Sequence, residues 1–148
     1  MSLTLAKGGK RVCILRQFEI EPTMANFTIQ GKLPTINEYI SDCRRNPHLG
    51  AKTKRECEEM TMWSMNGIKN LHFNKVILHY RFFEQNQKRD KDNVFAFATK
   101  VVQDAMQELG MIDNDGWKNI ENFTHDFFVD KDNPRIEVYI EEVGKGKE

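Results

Sequence analysis

The sequence predicts an α+β domain in which helices pack against one small mixed β-sheet. Three observations carry this prediction. Segments with strand and helix patterns follow one another in the order β, α, α, β, α, β, β. The strand pattern at 74–85 has apolar residues on both faces, which is typical of a central strand. The helix pattern at 94–109 places its apolar positions on one face, which is typical of a helix that packs on a core.

The chain divides into one main domain and two short ends. Residues 1–23 are predicted to be an N-terminal extension, flexible over its first ten residues and then either an additional strand or an appendage. The main domain covers 24–143 and opens with alternating apolar and polar residues at 26–31, which predict its first strand. A flexible tail rich in Gly and Lys is expected at 144–148.

Two helices are predicted after the first strand. Thr35 is a candidate cap for the first helix, because Glu38 follows three residues later. Pro47 should end or kink that helix. The second helix is expected from Gly50 to Met65, with Lys52, Arg55 and Glu59 on its exposed face. Its apolar face is predicted to contain Met60 and Trp63.

The second half of the chain predicts two further strands after the long helix. That helix is expected over Val94–Leu109, with Gly110 closing it and Asp92 or Asn93 as its cap. A loop at 111–119 follows. The last two strands are predicted to form a hairpin, with the strands at 123–129 and 135–143 and the turn at 130–134.

Composition limits the class of protein. The apolar fraction of 39% and the charged fraction of 30% fit a globular chain. No apolar run approaches the roughly 18 residues of a membrane span, and no signal-peptide pattern opens the chain. The cysteines are odd in number and widely spaced, which argues against a disulfide framework or a zinc site. We therefore expect reduced thiols in a cytoplasmic protein that does not contact the membrane.

The formal charge is zero overall, but it is unevenly distributed. Residues 1–55 carry a net charge of +6, residues 56–85 a net charge of −1, and residues 86–148 a net charge of −5. Such a split is compatible with a nucleic-acid partner, because phosphate responds to the local field, and equally with an ordinary uneven surface. The densest basic cluster either is a solvated helix face or contacts phosphates. It consists of Arg44, Arg45, Lys52, Lys54 and Arg55.

Carboxylates at two bends are the most informative feature of the chain. Asp90 and Asp92 precede the long helix, beside basic residues, and Asp113 and Asp115 follow it. Oxygen ligands of this kind suit Mg²⁺ or Mn²⁺, provided that the loop returns toward the first pair. The alternative for the first pair is helix capping alone. Lys100 points off the apolar face of the helix, and it either assists at a phosphate or is a solvated lysine beside Asp104.

The segment Arg89-Asp90-Lys91-Asp92-Asn93 resembles the RusA-type Holliday-junction resolvases, small endonucleases of phages and prophages. The resemblance continues through the helix with Lys100 and Asp104 to Gly110 and Asp115, and includes Pro34, Asn37 and Tyr39 near the front. It covers about residues 26–143. It implies the RusA-like form of the α+β fold, in a protein of bacterial or phage origin.

The resemblance implies a homodimer that binds branched DNA and cuts it with Mg²⁺, for which Mn²⁺ can substitute. It implies Asp90, Asp92 and Asp115 as catalytic and metal-binding carboxylates, with Asp113 as an outer ligand. A helix lysine would contact the phosphate. Counting from Asp92 places that lysine at Ala96, whereas counting back from Asp104 places it at Lys100. The helix therefore carries an extra turn relative to the family pattern.

The expected function is a Mg²⁺-dependent, structure-selective endodeoxyribonuclease that resolves four-way junctions in DNA recombination and repair. Asn37 and Tyr39 either contact DNA or fix the first turn of their helix. Trp117 either anchors the loop that carries Asp115, which we favour, or stacks on a base. The complete set of predicted DNA-binding residues is Asn37, Tyr39, Arg44, Arg45, Lys52, Lys54, Arg55, Lys88 and Arg89. The alternatives are a noncatalytic DNA-binding module of the same fold and a protein-interaction domain without a metal.

Overall fold

A mixed sheet of four strands is the frame of the protein. The computed structural model describes residues 24–143. Its elements are β1 (Met24–Gln30), α1 (Ile36–Arg45), α2 (Pro47–Ser64), β2 (Val76–Glu84), α3 (Lys91–Glu108), β3 (Ile120–Val129) and β4 (Arg135–Glu142). This order confirms the predicted α+β class. The predictions for the extension at 1–23 and for the tail at 144–148 fall outside the described residues.

Strand β2 is central, as its pattern predicts. The strand order is β1-β4-β2-β3, with β2 parallel to β3 and antiparallel to β4. Leu78, Tyr80 and Phe82 are fully buried on one face of β2, where α3 contributes Ala98 and Val101 to the same core. Helix α3 connects the two parallel strands, so it begins at the end of the sheet where β2 stops.

The predicted hairpin of the last two strands is wrong. Strands β3 and β4 do not pair, because β2 lies between them. The connection at 130–134 therefore spans two strand spacings, roughly 10 Å in all. Arg135 stabilises this connection by donating to Asp130 at 2.8 Å and to the carbonyl of Asn133 at 2.9 Å. Local turn signals predicted the bend correctly, but they contain no information about which strand lies beside β4.

The start of α1 and the break before α2 follow the sequence closely. The Thr35 hydroxyl accepts from the Glu38 amide at 3.1 Å, and the Glu38 carboxylate accepts from the Thr35 amide at 2.9 Å. This reciprocal pair is the predicted capping box. Asn46 ends α1 and caps α2, and Pro47 occupies the first turn of α2. Helix α2 thus begins three residues before the predicted Gly50.

The assignment of Met60 and Trp63 to the buried face of α2 is wrong. The buried residues of α2 are Gly50, Cys57 and Thr61, and Trp63 is 76% exposed. The side chains are small because the helices approach closely: a Cβ added to Gly50 would lie 2.4 Å from Sγ of Cys43 on α1. Trp63 lies about 200° around the helix from Thr61 and therefore faces away from this contact.

Helix α3 begins earlier than predicted and ends as predicted. Asp90 is the residue before the first turn, so Asp92 and Asn93 lie inside the helix and do not cap it. At the other end, Gly110 has φ of +75°, and its amide donates to the carbonyl of Gln107 at 3.0 Å. The Met111 amide donates to the carbonyl of Met106 at 2.9 Å. This paired arrangement is a Schellman motif, which turns the chain sharply out of the helix.

Two smaller expectations concern the membrane and the thiols. Between residues 24 and 143, no helix has the length and apolar character needed to cross a membrane. Among the described residues Cys43 and Cys57 form no disulfide, and Cys13 lies outside those residues.

Candidate active site

One exposed stripe of α3 carries the charged residues of the candidate site. Asp92, Ala96, Lys100 and Asp104 recur every four residues, and such positions lie on one side of a helix. The opposite side, which includes Ala98 and Val101, is buried in the core. The side chain of Lys100 is 58% exposed. The apolar pattern of α3 therefore fixes which way Lys100 points, and that direction is toward the loop that follows the helix.

That loop has a buried base and an exposed tip. Met111 and Ile112 on one side, and Asn119 and Ile120 on the other, are buried. The Asn119 amide group donates to the carbonyl of Asn74 at 2.7 Å, and the Val76 amide donates to the carbonyl of Asn119 at 2.9 Å. Residues 113–118 project between these anchors. The loop is thus held by contacts to a distant part of the chain.

Lys100 and Asp115, two of the predicted catalytic residues, are in contact. The Lys100 ammonium lies 3.2 Å from Oδ2 of Asp115 and 3.4 Å from Oδ1 of Asp104. The hydrogen bond to Asp115 is the main reason that the pKa of Lys100 is raised, with Asp104 adding to the shift and partial burial opposing it. Lys100 is therefore a fully charged ammonium, and the carboxylates of Asp104 and Asp115 hold it beside the loop.

The ion pairs continue from Asp104 to α2. Lys54 donates to Oδ2 of Asp104 at 2.7 Å and lies 2.8 Å from Oε2 of Glu58. Partial burial alone would lower the pKa of Lys54, but its bonds to Asp104 and Glu58 outweigh that effect and raise the pKa. Charges of alternating sign thus run from Glu58 through Lys54, Asp104 and Lys100 to Asp115. This network fixes the position of Lys100 from both sides.

Asp90 and Asp92 lie at the other end of the stripe. Asp90 occupies the cap position of α3 without a side-chain hydrogen bond to the helix. Within residues 24–143, Oδ1 of Asp92 accepts only from the adjacent Asn93 amide, at 2.9 Å. Neither carboxylate is in an ion pair with another residue of 24–143. A cavity of about 370 Å³ opens beside Asp90, at the end of the parallel strands. Asp90 and Asp92 therefore occupy the cap position and the first turn of α3, and neither is bonded to another side chain of the described residues.

The expected convergence of Asp90, Asp92 and Asp115 on one ion is not found. Among residues 24–143 no group of three or more His, Cys, Asp or Glu side chains is placed to hold a metal. Eight residues of helix separate Asp92 from Lys100, which is about 12 Å along the axis, and Asp115 is bonded to Lys100. Asp113 instead lies 3.1 Å from Nε2 of His72. The described carboxylates of one chain therefore do not fit the complete metal site that the resemblance implies.

Three of the predicted DNA-binding residues have structural contacts. Arg89 donates to both carboxylate oxygens of Glu84, at 2.9 and 3.1 Å, and to the carbonyl of Leu33 at 2.9 Å. It thereby joins the end of β2 to the segment before α1. Tyr39 stacks on Phe97 at 4.7 Å between ring centroids, and Lys54 is held by Asp104.

The remaining predicted DNA-binding residues are exposed. Asn37, Arg44 and Arg45 line a shallow depression of about 390 Å³ on α1. Neither arginine is in an ion pair within the part of the chain that the structure describes. Lys52 lies 3.9 Å from Glu56 on the exposed side of α2, which is a weak contact. Arg55 and Lys88 are also exposed. Among these exposed residues, Arg44 and Arg45 lie side by side in the last turn of α1.

The favoured interpretation of Trp117 as the anchor of its loop is wrong. The side chain is 97% exposed, and buried Met111, Ile112, Asn119 and Ile120 anchor the loop instead. Sequence reasoning also missed the bond from Lys54 to Asp104, which joins residues 50 positions apart. No local pattern identifies such a pair. The only sequence feature that could have pointed to Asn119 as a loop anchor is its position just before a strand.

No protein-family model matches the chain, and the search of curated proteins gave no match.

Proposed function

We propose that the protein is a structure-selective endodeoxyribonuclease that resolves four-way DNA junctions as a homodimer, in the presence of Mg²⁺. The observation that carries the proposal is the contact between Lys100 and Asp115. These residues are 15 positions apart, on a helix and on a loop. The resemblance implies Asp115 as a catalytic carboxylate, and it places its helix lysine at Lys100 when the count runs back from Asp104. A lysine and a carboxylate placed together at an exposed surface suit chemistry on a phosphodiester.

Lys100 would stabilise the charge that develops on the phosphate. Its side chain is 58% exposed, and its four-carbon stem allows the ammonium to move from Asp115 toward a phosphate oxygen. Asp104 would continue to orient it from below, because Asp104 is itself held by Lys54. Asp115 would then be free to interact with the attacking water. Removing one such charged donor from an active site typically costs about 100- to 1000-fold in rate.

The described carboxylates do not form a metal site with three ligands. Mg²⁺ is often held by one or two carboxylates together with phosphate oxygens of the substrate. Asp90 and Asp92 are the candidates for such carboxylates, since no ion pair engages them within residues 24–143. Cleavage measured in Mg²⁺, Mn²⁺, Ca²⁺ and EDTA tests this part separately.

The DNA backbone is proposed to lie along α1. Arg44 and Arg45 are exposed, and together with Asn37 they line the depression on that helix. Contacts of this type position a duplex without reading its sequence, as a structure-selective enzyme requires.

The decisive experiment is a cleavage assay on a synthetic four-way junction. We expect symmetric cuts in Mg²⁺ and much slower cutting of a linear duplex of the same sequence. Asp92→Asn should abolish cutting and retain binding, and Asp132→Asn, in the turn after β3, is the matched control. Normal cutting by Asp92→Asn would show that the site is assigned wrongly. Absence of cutting by the folded protein in every metal would rule out the nuclease.

One observation favours a second candidate, a noncatalytic DNA-binding module. The positive charge of Lys100 is already balanced by ion pairs with Asp104 and Asp115, and the carboxylates are spread over both ends of α3. This candidate predicts junction binding without cleavage in any divalent metal. The same assay therefore separates the two functions.

A further inference from the structure

Trp117 is a tryptophan exposed almost completely to water. Its exposed fraction of 97% is the highest among the large apolar side chains of the described residues, and Trp63 follows at 76%. Burying a side chain of this size stabilises a protein by about 1.5–3 kcal/mol, which this position forgoes. Trp117 makes no aromatic stacking contact within residues 24–143. The described fold therefore leaves the indole of Trp117 exposed and does not use it for packing.

The loop presents Trp117 from a fixed base. The Asn114 side chain accepts from the Gly116 amide at 2.9 Å, and the amides of Asn119 and Ile120 both donate to the carbonyl of Gly116, at 3.1 and 2.9 Å. These bonds form tight turns on each side of Trp117. On the near side, the bond from Lys100 to Asp115 ties the loop to α3. Trp117 is thus held two residues along the chain from Asp115, one member of the candidate catalytic pair.

The surroundings of Trp117 suit a flat polar partner better than a protein surface. The other exposed residues of its loop tip are Asp113, Asn114 and Lys118, and none of them is apolar. A tryptophan that dominates a protein interface usually lies in a well-packed patch whose neighbouring contacts exclude water. Trp63 shows the contrast, because it shares an apolar groove with Met62 and Leu109. A nucleobase needs only the face of the ring, and the cation of Lys118 next to it suits a phosphate.

We propose that Trp117 stacks on an unpaired or unstacked base of the nucleic acid bound at the Lys100–Asp115 site. This inference rests on the proposed function and gives a physical basis for the selection of its substrate. Bases inside an intact duplex have both faces covered, so the indole has access to a base face only where stacking is interrupted, at a branch point, a gap, a single strand or a duplex end. Trp117 would thereby favour branched DNA over linear duplex.

Binding in EDTA tests this inference apart from cleavage. The probes are a fluorescent four-way junction, a single strand and a linear duplex. Trp117→Ala should weaken binding to the first two about 5- to 150-fold, which corresponds to about 1–3 kcal/mol per stacked base. Duplex affinity should change less than about twofold. Trp117→Phe should restore most of the loss, because it keeps an aromatic face. Trp63→Ala is the matched control and should bind all three DNAs normally.

Fluorescence reports the stacking directly. Trp63→Phe leaves Trp117 as the only tryptophan of the chain. Its emission should be quenched when the junction or the single strand is added in EDTA, and it should respond much less to duplex. Circular dichroism and urea unfolding of each variant check that the fold is intact.

The outcomes separate the inference from the proposed function. If Trp117→Ala binds the junction normally and the wild-type protein still cuts it, the inference is overturned and the nuclease stands. If Trp117→Ala changes the oligomeric state measured by light scattering, the indole contacts a second copy, and the inference is again overturned. Selective loss of binding to the junction and the single strand, together with quenching, supports it.

Discussion

The ammonium of Lys100 lies 3.2 Å from Oδ2 of Asp115, so the middle of α3 and the tip of the following loop meet at one surface. The loop is held there by Asn119, which bonds to Asn74, and by buried Met111. The two residues therefore meet because of long-range packing. This contact is the part of the predicted site that the fold assembles.

The bond from Lys54 to Asp104 should contribute to stability, because both side chains are less than a third exposed. We expect Lys54→Met to lower the free energy of unfolding by about 1 kcal/mol. Lys52→Met is the matched control, since Lys52 and Glu56 are each 64% exposed and 3.9 Å apart, and it should change stability by less than about 0.5 kcal/mol. Urea unfolding measures both. Equal effects would show that the network does not stabilise the fold.

The turn out of α3 should depend on Gly110. Its φ of +75° is unfavourable for any residue with a Cβ, so Gly110→Ala should cost about 1–2 kcal/mol. Gly67→Ala is the control, because an added Cβ there meets nothing within 4 Å and Gly67 has no positive φ. Thermal and urea unfolding compare the two variants. If Gly67→Ala were the more damaging, the account of this turn would be contradicted.

His125 should make the protein less stable in acid. Its ring lies 4.1 Å from that of Phe95, and burial lowers its pKa below the ordinary 6.5, although Asp126 opposes the shift. The unfolded chain then binds the proton more readily than the folded one, so stability is lost as the pH falls below about 6.5. His125→Phe keeps the stacking and removes the titration.

Urea unfolding at pH 7.5 and at pH 5.5 tests the predicted direction of the change in stability with pH. The difference in unfolding free energy between the two pH values should be smaller in His125→Phe than in the wild type. His48→Gln, on the exposed side of α2, should leave the difference unchanged. An undiminished difference in His125→Phe would assign the acid sensitivity to other groups.

The arginines on α1 should contribute to DNA affinity through phosphate. Each phosphate contact adds about 0.9 to the slope of log affinity against log salt concentration. Substituting Arg44 and Arg45 together by Ala should therefore lower the magnitude of the slope by about 2. Lys75→Ala is the control, because that lysine lies 3.6 Å from Glu121 beside β3. Fluorescence anisotropy from 50 to 300 mM salt measures the slopes. An unchanged slope in the double variant would place the DNA elsewhere.

Local patterns predicted the elements of the fold, but not the way in which they meet. The capping box of Thr35 and the turn at Gly110 were correct because each is decided within a few residues. The pairing of β4 with β2 was missed because a turn at 130–134 does not reveal that another strand occupies the space between β3 and β4.

The sequence predicted only part of the candidate site, again because local patterns do not determine long-range contacts. The apolar periodicity of α3 correctly placed Lys100 on its exposed side. The path of the loop depends on Asn74 and Phe73, about 40 residues earlier in the chain, so the sequence could not show that Asp115 would reach Lys100 and not Asp92. Arg89 was assigned to DNA because a charge pattern cannot show that Glu84 and Leu33 bind its guanidinium.

The proposal that Lys100 and Asp115 act together on a phosphodiester is tested by the rate of junction cleavage in Asp115→Asn and Asp113→Asn, compared with that of the wild type. Asp115 contacts Lys100, whereas Asp113 contacts the exposed His72, so the two variants remove one carboxylate each from the same loop. We predict that the wild type cuts the junction in Mg²⁺, that Asp115→Asn slows single-turnover cutting about 100-fold or more, and that Asp113→Asn slows it less than about tenfold. Equal rates in Asp115→Asn and the wild type, or no cutting by the folded wild type, would contradict the account.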